Sequence, residues 1–205
     1  MWVKICGVTS EDAVAAALES HADALGFIFA PSVRRLTVQQ AAKLAKAARG
    51  RASLVAVTLH PEQTLVDEIL EVFRPDVLQT DLADLDRLQL PDGLARLPVL
   101  RAGSGAALPS SRRFLFEGAC SGSGELGDWS AAARFASLSE LILAGGLTPD
   151  NVAAAIRGVA PFGVDVSSGV ELAPGRKSTA KISQFIAAAR AAFQQEPTHG
   201  NRPVG

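Results

Sequence analysis

Four side chains in this sequence are of types that move protons or grip carboxylates, and each sits at or shortly after a short apolar run: Cys6, Arg34, Glu117 and Asp165. A thiolate can act as a base where its surroundings lower its pKa. A pair of carboxyl groups in contrasting environments can divide acid and base work. Read singly, Cys6 is also a small buried hydrophobe, and Asp165 is also a residue that orients loop groups. Arg34 and Arg35 are adjacent, and a planar guanidinium can clamp a carboxylate through its fork. A solvated turn is the plainer reading, and it suits the second arginine better. Two further segments suit an oxyanion. Gly145-Gly146 and Ser167-Ser168-Gly169 follow apolar runs; glycines let backbone N–H groups approach an anion, and serines add hydroxyl donors. Either segment alone is equally a tight turn that needs positive φ. Metal chemistry is not expected, because His21, His60 and His199 lack ligand spacing and no CxxC or HExxH occurs. His60, just before Pro61, reads as a surface-loop residue, and Cys120 as incidental to a Gly/Ser loop.

The elements that must carry these residues form a regular alternation. Eight short apolar runs cover 2–6, 24–29, 53–58, 76–79, 98–101, 113–117, 140–143 and 163–166. Most are near-continuous in Val, Ile, Leu, Phe and Ala, the pattern of strands buried on both faces of a parallel sheet. Amphipathic helical patterns lie between them at 10–20, 38–49, 61–73, 130–136, 148–158 and 178–193. Thr9 or Ser10 before Glu11 and Asp12 marks a helix start, as does Thr148-Pro149-Asp150. Residues 102–111 are too short and Gly-rich for a full helix, and the helix after Gln79 is weak. Eight strands alternating with helices predict a compact single-domain α/β fold, a (β/α)8 TIM barrel over residues 1–195 with one or two reduced helices. Residues 196–205, polar with two prolines, read as a disordered tail. An open doubly wound sheet is the alternative, although Cys6-Gly7-Val8-Thr9 is not a dinucleotide fingerprint. In a barrel the chemistry gathers at the C-terminal ends of the strands, where phosphate commonly binds between the seventh and eighth loops. The candidate residues and both glycine segments stand at those ends.

Composition bounds the partners. The chain has 205 residues, 48% hydrophobic and 20% charged, so it can bury one sizeable core. Its net charge of −1 offers no field to draw in nucleic acid or an anionic membrane, so any bound anion needs a local site. No apolar run is long enough to span a bilayer and no signal pattern opens the chain, which reads as cytoplasmic. Two cysteines are too few for a disulfide framework. A small-molecule partner is expected, and the chain is compatible with a monomer or a homodimer.

Longer strings narrow the reading. Val3-Lys4-Ile5-Cys6-Gly7-Val8-Thr9 resembles the opening motif of the phosphoribosylanthranilate isomerase family. Gly26-Phe27-Ile28-Phe29, Leu143-Ala144-Gly145-Gly146-Leu147-Thr148-Pro149-Asp150-Asn151-Val152, and Gly163-Val164-Asp165-Val166-Ser167-Ser168-Gly169-Val170-Glu171 with Pro174-Gly175-Arg176-Lys177 resemble its other motifs. So does the glycine loop Gly122-Ser123-Gly124 with Asp128-Trp129. The resemblance runs from about Trp2 to Phe193. It implies an Amadori rearrangement in tryptophan biosynthesis, by proton transfer alone and without a cofactor. Cys6 matches the family's general base, and Glu117 stands where the family has an aspartate general acid. The substrate-orienting arginine maps to Arg34 with a one-residue deletion in the loop and to Arg35 without one; Arg34 keeps the distance to the third strand. Asp165 matches the aspartate ending strand eight, and Gly145, Gly146, Ser167, Ser168 and Gly169 match the phosphate loops. Three positions depart from the family: Glu117, Asp81 in place of a histidine, and Glu125 in place of a lysine. A histidine-pathway sugar-phosphate isomerase normally carries an aspartate pair, which the cysteine at strand one argues against. A barrel that has lost catalysis would not need the thiol and both phosphate loops.

Overall fold

The computed structural model describes residues 1–102, 111–118 and 129–195. Cys120, Glu125, Asp128, His199, the glycine loop at 122–124, residues 103–110 and the tail at 196–205 lie outside the described residues.

Eight parallel strands close into a barrel in sequence order. They are β1 (Trp2–Cys6), β2 (Ala24–Ile28), β3 (Ser53–Val57), β4 (Val77–Asp81), β5 (Ala95–Arg101), β6 (Arg113–Glu117), β7 (Glu140–Ala144) and β8 (Gly163–Val166). Strand side chains alternate between faces, and that alternation sorts the sequence into two cores. Val3, Ile5, Leu25, Phe27, Leu54, Leu78, Leu141, Leu143 and Val164 point outward and pack in one cluster with the helices. Leu97, Val99, Leu115, Ile142 and Ala144 fill the barrel interior. The inward parity also holds Lys4, Cys6, Gln79, Asp81, Arg101, Glu117 and Asp165, so the polar residues of the interior collect toward one end of it.

The helices are α1 (Glu11–Glu19), α2 (Val38–Ala45), α3 (Gln63–Glu68), α4 (Leu82–Leu85), α5 (Ser130–Ala136), α6 (Val152–Val159) and α7 (Thr179–Gln195). Ser10 caps α1 by accepting from the Ala13 amide, and Glu11 and Asp12 complement the positive end of its dipole. Thr37 and Gln40 form a reciprocal capping box on α2. The 61–73 pattern divides: α3 passes into a wider π turn at Ile69–Phe73, which stops where Arg74 turns left-handed at φ 53°. Phe73 there is fully buried, with ring centroids 5.1 Å from Phe27 and 5.4 Å from Phe29. At α6, Asn151 Oδ1 accepts from the Thr148 amide, so residues 148–151 form a turn and the helix starts at Val152. The weak fourth helix is a single turn. After β8 comes an antiparallel hairpin, β9 (Glu171–Ala173) and β10 (Arg176–Lys177), which the apolar pattern does not signal. Among the described residues no helix is long and apolar enough to cross a membrane.

Candidate active site

At the C-terminal end of the barrel a cavity of about 250 Å³ is lined by Cys6, Ile28, Arg34, Glu117, Asp165, Ser167 and Ser168, together with the Ala144–Leu147 turn. Five strands or their following loops therefore contribute to one hollow. Gly145 and Gly146 sit at φ 93° and 66°. Gly169 does not line the cavity; a Cβ there would fall 1.8 Å from the Leu147 carbonyl oxygen, so it lets the loops after β7 and β8 touch. Arg34 reaches the hollow across Gly7, where a Cβ would lie 2.7 Å from Arg34 Cδ and 3.2 Å from Ser167 Oγ, at a φ of 70°. Arg35 is exposed and lines a neighbouring hollow with His60.

Below the thiol lies a charged pair that sequence reasoning missed. Lys4 is completely buried, with Nζ 3.0 Å from Asp165 Oδ1 and donating to Gln79 Oε1 at 2.6 Å. The register makes this pairing direct, since Lys4 and Asp165 are opposed across β1 and β8. Among the described residues Asp165 Oδ1 has no hydrogen-bond partner beyond that ion pair. Burial works against the Lys4 charge, but Asp165 and Cys6 outweigh it and raise its pKa above the ordinary lysine value. Burial pushes the Cys6 thiol up, with Asp165 adding to the rise and Lys4 opposing it. The resting group is therefore the thiol, with an ammonium beside it that favours the thiolate once the proton leaves.

Across the barrel Glu117 is about one-third exposed. Arg101, opposite Glu117 in the register of β5 and β6, donates from Nε to Glu117 Oε2 at 3.1 Å and from Nη1 to Asp81 Oδ1 at 2.5 Å. Asp81 and Glu117 are thus held by one guanidinium. His60 sits at φ 46°, anchored by Asp84, which accepts from its amide at 2.9 Å and lies 3.0 Å from Nδ1. Burial would raise the Asp84 carboxyl, but hydrogen bonds from His60 and Thr80 outweigh it and hold it at about 2. His60 is 64% exposed along its side chain, so the surface reading of this residue stands.

A larger hollow of about 780 Å³ opens at the other end of the barrel, among His21, Asp23, Arg51, Asp76 and Arg190. Its two carboxylates are spent on structure: Asp23 accepts from the Val3 amide and Asp76 from the Leu54 amide, both at 2.7 Å, where β1 and β3 begin. The smaller cavity carries the Cys6 thiol, the Glu117 and Asp165 carboxyls and the Arg34 guanidinium at the C-terminal ends of the strands, and it is the candidate site.

Comparison with known proteins identifies the family. The family model for N-(5'-phosphoribosyl)anthranilate isomerase matches residues 3–188. The chain belongs to this family. The N-(5'-phosphoribosyl)anthranilate isomerase of Roseiflexus castenholzii is 42% identical, over 94% of this chain and 99% of the relative. The crystal structure of TrpF from Jonesia denitrificans superposes with a TM-score of 0.82 at 33% identity, covering 94% of this chain and 98% of the other. A phosphoribosyl anthranilate isomerase solved with reduced 1-(o-carboxyphenylamino)-1-deoxyribulose 5-phosphate superposes at 0.73 with 27% identity, over 93% and 99% of the two chains. The phosphoribosylanthranilate isomerases are enzymes of tryptophan biosynthesis.

Proposed function

We propose that this isomerase converts N-(5-phosphoribosyl)anthranilate into 1-(2-carboxyphenylamino)-1-deoxyribulose 5-phosphate, with Cys6 as general base and Glu117 as general acid. The observation that carries the assignment is the cavity lined by a thiol, two carboxyls, a guanidinium and two serine hydroxyls at the C-terminal end of a barrel. The reduced product bound in a family member supports the same substrate class.

The chemistry asks only for proton transfers. Glu117 donates a proton to the ribose ring oxygen as the C1′–O bond breaks, and the anilino nitrogen's lone pair forms the protonated imine. The Cys6 thiolate takes the C2′ proton, and its electron pair neutralises the imine nitrogen to give an enolamine. Loss of the C2′ hydroxyl proton and protonation at C1′ then yield the ketone. Two protons leave, from C2′ and its hydroxyl, and two arrive, at the ring oxygen and C1′, so the rearrangement balances without an oxidant or cofactor. Ser167, Ser168, Gly145, Gly146 and Gly169 form the phosphate end, Arg34 takes the anthranilate carboxylate and Asp165 a sugar hydroxyl. Gly169 serves through the close loop contact it permits.

The test is turnover. Purified protein incubated with phosphoribosylanthranilate should extinguish the substrate's fluorescence, with the reduced product acting as a competitive inhibitor. A folded protein that binds inorganic phosphate but leaves this substrate untouched would overturn the assignment.

A further inference from the structure

The hairpin that follows β8 holds a carboxylate with no assigned task. Glu171 is 7% exposed and yet accepts from four donors. Arg34 grips it with both arms of a fork, Nε to Oε1 at 2.6 Å and Nη2 to Oε2 at 2.8 Å. Lys177, also buried, donates to Oε1 at 2.9 Å, and the Gly175 amide donates to Oε2 at 3.2 Å. The same Lys177 Nζ donates onward to the Ser167 carbonyl at 2.9 Å and lies 3.3 Å from Ser167 Oγ. Burial would raise the Glu171 carboxyl, but Arg34 and Lys177 outweigh it and hold it at about 2, so it is ionised at working pH.

This arrangement fixes which edge of Arg34 is left over. Glu171 consumes the Nε hydrogen and one Nη2 hydrogen; both Nη1 hydrogens and the second Nη2 hydrogen have no partner among the described residues. Those hydrogens form a second fork of the same carboxylate-matching geometry. The Arg34 side chain lines the cavity and is 19% exposed.

We infer that Glu171 is a positioning residue for substrate recognition: it orients Arg34 so that the unused fork receives the anthranilate carboxylate. The inference rests on the substrate reading above. Its chemistry is specific to a carboxylate. A glutamine has the same shape but turns one oxygen into an NH₂ group. In either orientation that NH₂ faces donors: Arg34 Nη2 and the Gly175 amide, or Arg34 Nε and Lys177. The fork then opens, although the volume is unchanged. The binding that suffers should be that of the carboxylate end, because Ser167 and Ser168 keep their backbone.

The experiment measures kcat, KM and inhibition by inorganic phosphate for wild type, Glu171→Gln, Arg34→Met and the double variant, with Arg34→Lys alongside. Loss of a charge-assisted fork is expected to raise KM by about tenfold or more in Glu171→Gln, with kcat within about threefold and phosphate inhibition unchanged. In the Arg34→Met background Glu171→Gln should add nothing. Arg34→Lys, which keeps the charge but not the fork, should show the same rise in KM. Should Glu171→Gln not fold, Arg34→Lys carries the test. A KM at the wild-type value in Arg34→Lys, a full additional loss in the double variant, or equal weakening of substrate and phosphate would each overturn the inference while leaving the substrate reading intact. An inactive wild type would overturn that reading and the inference with it.

Discussion

Replacing Gly26 with alanine would drive a methyl group into the space that Cys6 and Lys4 occupy. An ideal Cβ at this position lies 2.9 Å from Cys6 Sγ, 2.9 Å from Lys4 Cε and 3.2 Å from Cys6 Cα. Carbon contacts are comfortable at ~3.5–4.0 Å, so the neighbours must yield by roughly 0.6–1 Å. The backbone of Gly26 cannot retreat freely, because its carbonyl accepts from the Gly7 amide at 2.8 Å and the Val8 amide at 3.2 Å. Movement therefore falls on the thiol and on the lysine paired with Asp165. A misplacement of ~1 Å in a reacting group can cost ~10²-fold in rate, and overpacking of this kind costs about 1–3 kcal/mol of stability. Gly26→Ala is thus expected to stay folded, to lower kcat by about a hundredfold, and to shift the urea midpoint toward lower denaturant at unchanged m-value. Substrate fluorescence gives the first number and equilibrium unfolding the second. Wild-type kcat in a folded Gly26→Ala protein would refute the tight packing around Cys6 on which the base assignment leans.

Three other outcomes follow from the same geometry. Because burial holds the Cys6 pKa above the ordinary thiol value, the ultraviolet absorbance of its thiolate, taken as the difference between wild type and Cys6→Ser, should climb with pH past ~8.5 without levelling there; a plateau below neutrality would contradict this. Glu171 and Asp84 both sit at about 2 in the fold. Depressed carboxyls contribute stability above their unfolded values and lose it as pH falls, so of order 2–3 kcal/mol each should disappear between about pH 5 and pH 2, as acid-dependent urea curves would show. Arg34→Ala should raise KM by about tenfold, whereas Arg35→Ala, removing an exposed side chain beside a different hollow, should leave KM unchanged in the same assay.

The fold was legible because parallel strands buried on both faces announce themselves as apolar runs. The disagreements lie where that signal fades. β5 begins at Ala95 rather than at Pro98, since its exposed first residues carry no apolar signal. β4 continues through Thr80 and Asp81, polar because they approach the catalytic end. The hairpin at Glu171–Lys177 is short and polar, held by Arg34, Lys177 and Gly175 rather than by an apolar face. At the site, the residues at the ends of β1, β6 and β8 and the arginine after β2 were readable from position, and the structure brings Cys6, Arg34, Glu117 and Asp165 to one cavity. Lys4 was not readable as a buried partner, since a lysine in an apolar strand gives no sign that a carboxylate from the far end of the sequence will lie beside it. The signal available was the inward parity it shares with Cys6. The Arg101 bridge between Asp81 and Glu117 depends likewise on lateral register across three strands, which no local pattern reveals.

The central claim is that Cys6 and Glu117 exchange protons with the substrate from opposite sides of one cavity. Its most direct test is kcat for wild type, Cys6→Ser and Glu117→Gln, each shown to be folded and to bind the reduced product. Both variants should lose about 10²-fold or more in kcat while holding the inhibitor nearly as tightly as wild type. Wild-type turnover by either folded variant would remove that residue from the mechanism and contradict the account.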